Sequence, residues 1–142
     1  MSKKPNSPYV MIIADPRGRR QSALARGLPL ARALDCEARV IAFCHESLGG
    51  LESSTLKLAE RARRSVVRLR QDELEAQLAK NDTAGLKVRS EVVWSKRIHE
   101  WVEAECKTHP PVVVVKTGHR TETFRYTPTD WHLIRDCAAP IL

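Results

Sequence analysis

The sequence predicts an α/β domain built on a three-layer, doubly wound parallel sheet with strand order 3-2-1-4-5. Residues 10–14 and 112–115 are apolar at every position, which is typical of strands buried on both faces of a parallel sheet. Residues 86–94 instead alternate apolar and polar side chains, as expected of a half-exposed edge strand. Helical patterns separate these strands, so β and α elements alternate and the crossovers should be right-handed.

The remaining elements follow in the same alternating order. We expect a helix over residues 20–34 with a kink at Pro29, a strand over 38–44, and a long helix from about 54 to 80. A short amphipathic helix follows, and its predicted apolar face consists of Ile98, Trp101, Val102 and Cys106. A polar loop should run from Lys116 to Tyr126, after which a capping box at residues 127–130 opens the last helix.

The two ends of the chain have their own patterns. Residues 1–8 contain two prolines and no periodicity, so we expect a flexible leader before a domain over 9–142. Residues 140–142 (PIL) have the pattern of the start of a fifth strand, and the sequence ends before this strand is complete. This pattern suggests a shortened polypeptide or one domain of a longer one, and an edge at the fourth strand open to a partner.

This topology predicts where a ligand binds. The strand order places the topological switch point between the first and fourth strands, and ligands of such sheets bind over the carboxyl ends of the strands there. The residues that follow the first, second and fourth strands, or open the last helix, form the candidate crevice: Asp15, Pro16, Cys44, His45, Lys116, Thr117, Gly118, His119, Arg120 and Thr127. No nucleophile, base and orienting group can be assembled from the sequence, so we expect no catalytic residue.

Composition limits the partners. The formal net charge of +7 would suit an anionic partner, but no aromatic residues are interleaved with the arginines of residues 61–70. Nucleic-acid binding is therefore only an alternative to a helix with one solvated face. The four cysteines lack C-x-x-C spacing, and no signal peptide or membrane-spanning segment is evident, so we expect reduced thiols in a cytoplasmic protein. A zinc site of His45 and His119 with Cys44 or Asp15 is an alternative. These residues lack the spacing of zinc motifs, so we expect no metal.

Several motifs together resemble one family. Asp15 closes the first strand, Gly118-His119 follows the fourth, and the chain ends with R-x-x-x-x-P-I-L. The string TPTDWH at residues 127–132 and the pair Val93-Trp94 are also similar to the family. From residue 9 to 142 the sequence resembles the universal stress proteins, in particular the amino-terminal domain of the E-type tandem members. The resemblance implies the 3-2-1-4-5 fold, a dimer through the fifth strand or a second domain in tandem, and in many members ATP held by a G-x-x-G-x9-G-S/T loop.

That phosphate loop is altered in this chain. Alignment on His119 places the first two family glycines at Thr117 and Arg120, whereas alignment on Gly118 places them at Gly118 and Thr121. The final Gly-Ser/Thr pair becomes Thr127-Pro128, and Pro128 has no amide to offer a phosphate.

We therefore expect a non-catalytic, stress-associated binding or regulatory module with a degenerate ATP-binding loop and no cofactor. The alternative is a domain that binds ATP, with or without hydrolysing it, through Asp15, Lys116, His119 and Arg120.

Overall fold

The computed structural model describes residues 7–14, 21–45, 56–117, 137 and 139–142. In chain order the elements are β1 (Tyr9–Ile13), α1 (Ser22–Ala33), β2 (Glu37–Cys44), α2 (Leu56–Leu78), β3 (Val88–Trp94), α3 (Ile98–Thr108) and β4 (Val113–Lys116). The first six residues, the loop after Thr117 and the capping box at residues 127–130 lie outside the described residues.

The strands form one parallel sheet in the order β3-β2-β1-β4, which confirms the predicted topology. Ile141 forms a parallel bridge with Val114, so the predicted fifth position beside β4 is also occupied. Three backbone bonds hold this segment: Val114 N donates to Pro140 O, Leu142 N to Val114 O, and Lys116 N to Leu142 O. The chain therefore follows the 3-2-1-4-5 order as far as the described residues extend.

The central strand β1 separates two apolar cores. Val10 and Ile12 pack with side chains of α1 and α2 on one face, whereas Met11 and Ile13 pack with side chains of α3 on the other. All four side chains are at most 2% exposed, as the unbroken apolar pattern predicts. Helices thus cover both faces, which is the doubly wound arrangement.

Strand β4 is less buried than its sequence suggests. Val114 and Val115 are buried, but Val112 precedes the strand and is 42% exposed. The prediction of a fully buried strand over residues 112–115 was therefore wrong at Val112, which is exposed, and at Val113, which is half-buried. The reason is position: Val112 lies at the amino end of the sheet, where its N–H bonds to Tyr9 O but its side chain lies outside the apolar cores.

Helix α1 packs very closely on β1. A Cβ atom on Gly27 would lie 2.6 Å from both Cδ1 and Cγ1 of Ile12, so this contact requires glycine. Pro29 lies inside the helix rather than ending it.

At the edge of the sheet, Gln71 Nε2 of α2 donates to Ser90 Oγ of β3 at 3.1 Å. Among the described helices, none has the length and apolar character needed to cross a membrane.

Candidate ligand-binding crevice

The crevice begins where β1 and β4 end side by side. Ile13 of β1 pairs with Ile41 of β2 and with Lys116 of β4, so the three strands are level at this point. Beyond it, Ala14 N still donates to Ile41 O at 2.9 Å, whereas β4 ends at Lys116. The carboxyl ends of β1 and β4 are therefore adjacent, as the switch-point prediction requires.

Lys116 is a half-buried cation at this position. Its Nζ donates to the carbonyl oxygen of Thr117 at 3.1 Å, which turns the side chain toward the end of its own strand. The side chain thus brings a positive charge to the carboxyl end of β4.

Thr117, the next residue, has a buried hydroxyl group. Its Oγ1 has almost no solvent exposure and forms no hydrogen bond in the structure. A buried hydroxyl without a partner costs about 1–3 kcal/mol relative to one that is bonded. An unsatisfied polar atom thus lies at the carboxyl end of β4.

Cys44 and His45 lie farther away than the sequence suggests. From the level of Ile41, β2 continues for three residues to Cys44, which is about 10 Å farther along the strand at a rise of about 3.3 Å per residue. The exposed His45 ring lies 5.4 Å from the ring of Trp94, measured between centroids. The structure therefore places these two residues beside β3, apart from Lys116 and Thr117.

Trp94, the last residue of β3, contacts two basic side chains. Besides His45, it contacts Arg63 of α2, whose Cζ lies 5.6 Å from the indole centroid. A second arginine of the same helix, Arg70, pairs with Glu73 at 3.1 Å. Part of the basic charge of α2 is thus engaged within the fold, which weakens the argument for a nucleic-acid surface.

The structure also brings together two cysteines that are far apart in sequence. Cys106 Sγ of α3 and Cys137 Sγ are 3.5 Å apart. The sequence predicted only that Cys106 lies on the apolar face of α3. Two cysteines 31 residues apart have no spacing pattern that would indicate a contact.

Six predicted crevice residues lie outside the described part of the chain: Asp15, Pro16, Gly118, His119, Arg120 and Thr127. Within the described ranges, no group of three or more His, Cys, Asp or Glu residues could hold a metal ion. Of the predicted crevice residues, the structure describes Cys44, His45, Lys116 and Thr117, and of these four only Lys116 and Thr117 lie at the carboxyl end of β4.

Comparison with known proteins places this geometry in context. The chain matches no family model. It is 28% identical over 138 residues to universal stress protein E of Escherichia coli K12, which covers 93% of this chain and 43% of that protein. It is 25% identical over 141 residues to the E homolog of Haemophilus influenzae, covering 94% and 46%. The chain thus spans about half the length of the curated relatives it matches.

Solved structures share the fold at lower identity. Universal stress protein UspA from Lactobacillus plantarum is 12% identical, covers 98% of both chains and superimposes with a TM-score of 0.62. A family protein from Arabidopsis thaliana with AMP bound is 11% identical, with a TM-score of 0.59 over 95% of this chain and 89% of that one. A universal stress protein in complex with cAMP is also 11% identical, with a TM-score of 0.58 over 96% and 95%.

The sequence comparison and the structure comparison therefore indicate the same group of proteins. The similarity extends over nearly the whole chain, and it coincides with the observed 3-2-1-4 sheet. The chain has the fold of the universal stress proteins and is similar in sequence to the E-type members.

Proposed function

We propose that the chain is a binding or regulatory domain of the universal stress type, without catalysis, and that its ligand site is the crevice between β1 and β4. The observation that carries this proposal is the buried Thr117 Oγ1, which has no hydrogen-bond partner. A ligand with a polar group in the crevice would satisfy this hydroxyl, and Lys116 beside it would favour an anionic ligand. A hydrogen bond from the ligand would recover the free energy that the unpartnered hydroxyl costs.

The absence of catalysis is part of the proposal. A threonine acts as a nucleophile when an adjacent base accepts its proton. Thr117 Oγ1 has no such partner in the structure, and Lys116 Nζ donates to the Thr117 carbonyl oxygen. Thr117 is thus suited to contact a ligand and is not activated to attack one.

We further propose that ATP is not held in the manner usual for the family. The support comes from the sequence between β4 and the predicted last helix, where neither alignment supplies both leading glycines and Pro128 replaces an amide donor. The triphosphate would meet side chains rather than a cradle of backbone N–H groups.

Calorimetric titration with ATP and Mg²⁺ tests this proposal. We expect no binding in the micromolar range, whereas micromolar affinity would overturn the degenerate-loop interpretation. Titrations with AMP and cAMP are run in parallel, because a response to these smaller ligands would show that the crevice is functional. Lys116→Met should weaken any such binding by about tenfold, the loss expected for one charge-assisted hydrogen bond. Lys107→Met, on exposed α3 surface, is the matched control.

The second candidate function is adenine-nucleotide binding through side chains. It is favoured by the two similar structures that contain AMP and cAMP. In this chain Asp15, Lys116, His119 and Arg120 would take the place of the glycine amides. Micromolar binding of AMP that is lost in Lys116→Met but kept in Lys107→Met would select this function, and hydrolysis would be scored by release of phosphate from ATP.

The partner is a second universal stress domain, either in a homodimer or in tandem. This proposal is supported by the curated relatives, of which the chain covers 43–46%. The sheet edge at residues 140–142, which occupy the fifth position beside β4, is the expected contact surface, since exposed strand edges pair readily with other strands. Sedimentation equilibrium at high protein concentration would contradict the dimer if the species were strictly monomeric.

The free cysteines of the described chain fit a reducing compartment such as the cytoplasm.

A further inference from the structure

Cys106 and Cys137 meet on the α3 face of the sheet. Their sulfur atoms are 3.5 Å apart, and Cys106 is 1% exposed whereas Cys137 is half-buried. Both belong to the apolar cluster that contains Val114 and Ala139. The other two cysteines, Cys36 and Cys44, lie elsewhere: Cys36 precedes β2 and Cys44 ends it.

The segment that carries Cys137 is held in place by the sheet. Ala139 is buried, and the residues after it form three backbone hydrogen bonds with β4. Cys137 is therefore two residues from a fixed point, and its proximity to Cys106 follows from the pairing of Ile141 with Val114. A bond between the sulfurs needs a separation of about 2.05 Å, so they must approach by about 1.5 Å.

We propose that Cys106 and Cys137 are a modification site that forms a reversible disulfide when the protein meets a hydroperoxide. The thiols are free in the structure, which is the reduced form. Nothing in the ligand crevice takes part, so the proposal does not depend on nucleotide binding.

The reaction requires two displacements. The Cys137 sulfur attacks the terminal oxygen of the hydroperoxide and breaks the O–O bond, so Cys137 becomes a sulfenic acid. The other peroxide oxygen takes the thiol proton and leaves as water or as an alcohol. The Cys106 sulfur then attacks the Cys137 sulfur and displaces hydroxide, which leaves as a second water with the Cys106 proton. The peroxide is reduced by two electrons, and the two thiols are oxidised to one disulfide.

Burial sets the order of these steps. Cys137 is the more accessible sulfur, so the peroxide reaches it first. Desolvation and the hydrogen bond with Cys137 raise the pKa of the Cys106 thiol to about 12, so Cys106 is protonated at neutral pH and is a poor first nucleophile. Its attack on the Cys137 sulfenic acid is intramolecular, and the 3.5 Å contact between the sulfurs offsets the small fraction of Cys106 thiolate.

The disulfide would close a covalent loop around the ligand end of β4. Lys116 and Thr117 both lie between the two cysteines in sequence. A crosslink restricts the unfolded chain most when it spans a long loop, and for about 30 residues we expect a rise in melting temperature of roughly 5–10 °C. Oxidation would thus stiffen the attachment of the fifth-strand segment to α3.

Thiol counting with hydrogen peroxide as the probe tests the proposal. The full chain is treated with a small excess of peroxide, unfolded, and its free thiols are titrated. We expect the number of thiols to fall from four to two, the intact mass to fall by two hydrogen atoms, and a Cys106–Cys137 crosslinked peptide to appear in the digest. Dithiothreitol should restore all four thiols and the original melting temperature.

Variants make the assignment specific. Cys137→Ser should abolish the crosslink and leave the Cys106 thiol intact, and it avoids the buried position whose substitution could impair folding. The double variant Cys36→Ser/Cys44→Ser, which contains only the proposed pair, should lose both of its thiols. Retention of four thiols by the treated wild type, pairing that involves Cys36 or Cys44, or oxygen addition at Cys137 without a crosslink would each overturn the proposal.

Discussion

The guanidinium Nη1 of Arg39 lies 2.6 Å from Glu105 Oε1, and this ion pair joins β2 to α3. The same guanidinium donates from Nε to Glu91 Oε1 of β3 at 2.8 Å. It also lies over the rings of Tyr9 and Trp101, with its Cζ 5.9 Å and 5.6 Å from their centroids. Burial alone would lower the pKa of Arg39, but the bonds to Glu105 and Glu91 outweigh it and keep the pKa above its usual value.

Arg39→Ala should destabilise the domain, because it removes both ion pairs and leaves two carboxylates beside the apolar cluster under α3. We expect the free energy of unfolding to fall by about 2–3 kcal/mol, below the loss for a fully buried pair since the Arg39 side chain is 24% exposed. Urea unfolding followed by circular dichroism measures the change. Arg89→Ala is the control: Arg89 is 62% exposed and lies 3.7 Å from Glu37, so its loss should cost under about 0.5 kcal/mol. Equal losses in the two variants would contradict this interpretation.

Tyr9 should make stability depend on alkaline pH. Desolvation raises its pKa, although Arg39 acts in the opposite direction, and its hydroxyl donates to His109 O. Because the phenol is harder to ionise in the folded state, its contribution is complete below pH 10 and declines as the pH rises through the folded pKa. The difference in unfolding free energy between wild type and Tyr9→Phe should therefore shrink above pH 10. A difference that stays constant from pH 8 to 11 would show that Tyr9 has an ordinary pKa.

Gly27→Ala should destabilise the domain even though alanine is the better helix former. The added Cβ would lie 2.6 Å from Ile12, whose side chain is fully buried between α1 and the sheet. We expect a net loss of about 1–3 kcal/mol from overpacking, measured as a lower midpoint of urea unfolding with an unchanged slope. Arg26→Ala, on the exposed side of the same helix, should leave the midpoint nearly unchanged. A stabilised Gly27→Ala variant would mean that α1 can shift away from β1.

Most of the fold could be predicted from hydrophobic periodicity. The unbroken apolar run of β1 and the alternating run of β3 indicated a central and an edge strand, and the structure has them at those positions. Even the bridge at Ile141 was expected from three residues of pattern. Local burial was harder to predict: Val112 has the same side chain as its neighbours, and its exposure depends on where the sheet ends.

The candidate site was less predictable because it depends on register. The sequence places Cys44 and His45 after a strand, but it does not show that β2 extends past the ends of β1 and β4 and directs His45 to Trp94. The unsatisfied Thr117 hydroxyl and the Cys106–Cys137 contact likewise depend on tertiary packing. Strand ends predicted a crevice between β1 and β4, whereas the register that leaves Lys116 and Thr117 as the described candidates beside β1 depends on tertiary structure.

Thr117→Val should stabilise the unliganded protein while weakening its ligand. Valine keeps the shape of threonine and removes the buried hydroxyl that has no partner, so we expect the free energy of unfolding to rise by up to about 1 kcal/mol. If a ligand satisfies that hydroxyl, the same variant should bind it more weakly, and a thermal shift with and without AMP would measure both effects. Thr108→Val is the matched control, because the Thr108 hydroxyl donates to Ala104 O on exposed helix surface and its removal should stabilise nothing. A loss of stability in Thr117→Val comparable to a broken hydrogen bond would show that the hydroxyl is already satisfied in the folded chain, and it would remove the observation on which the ligand site rests.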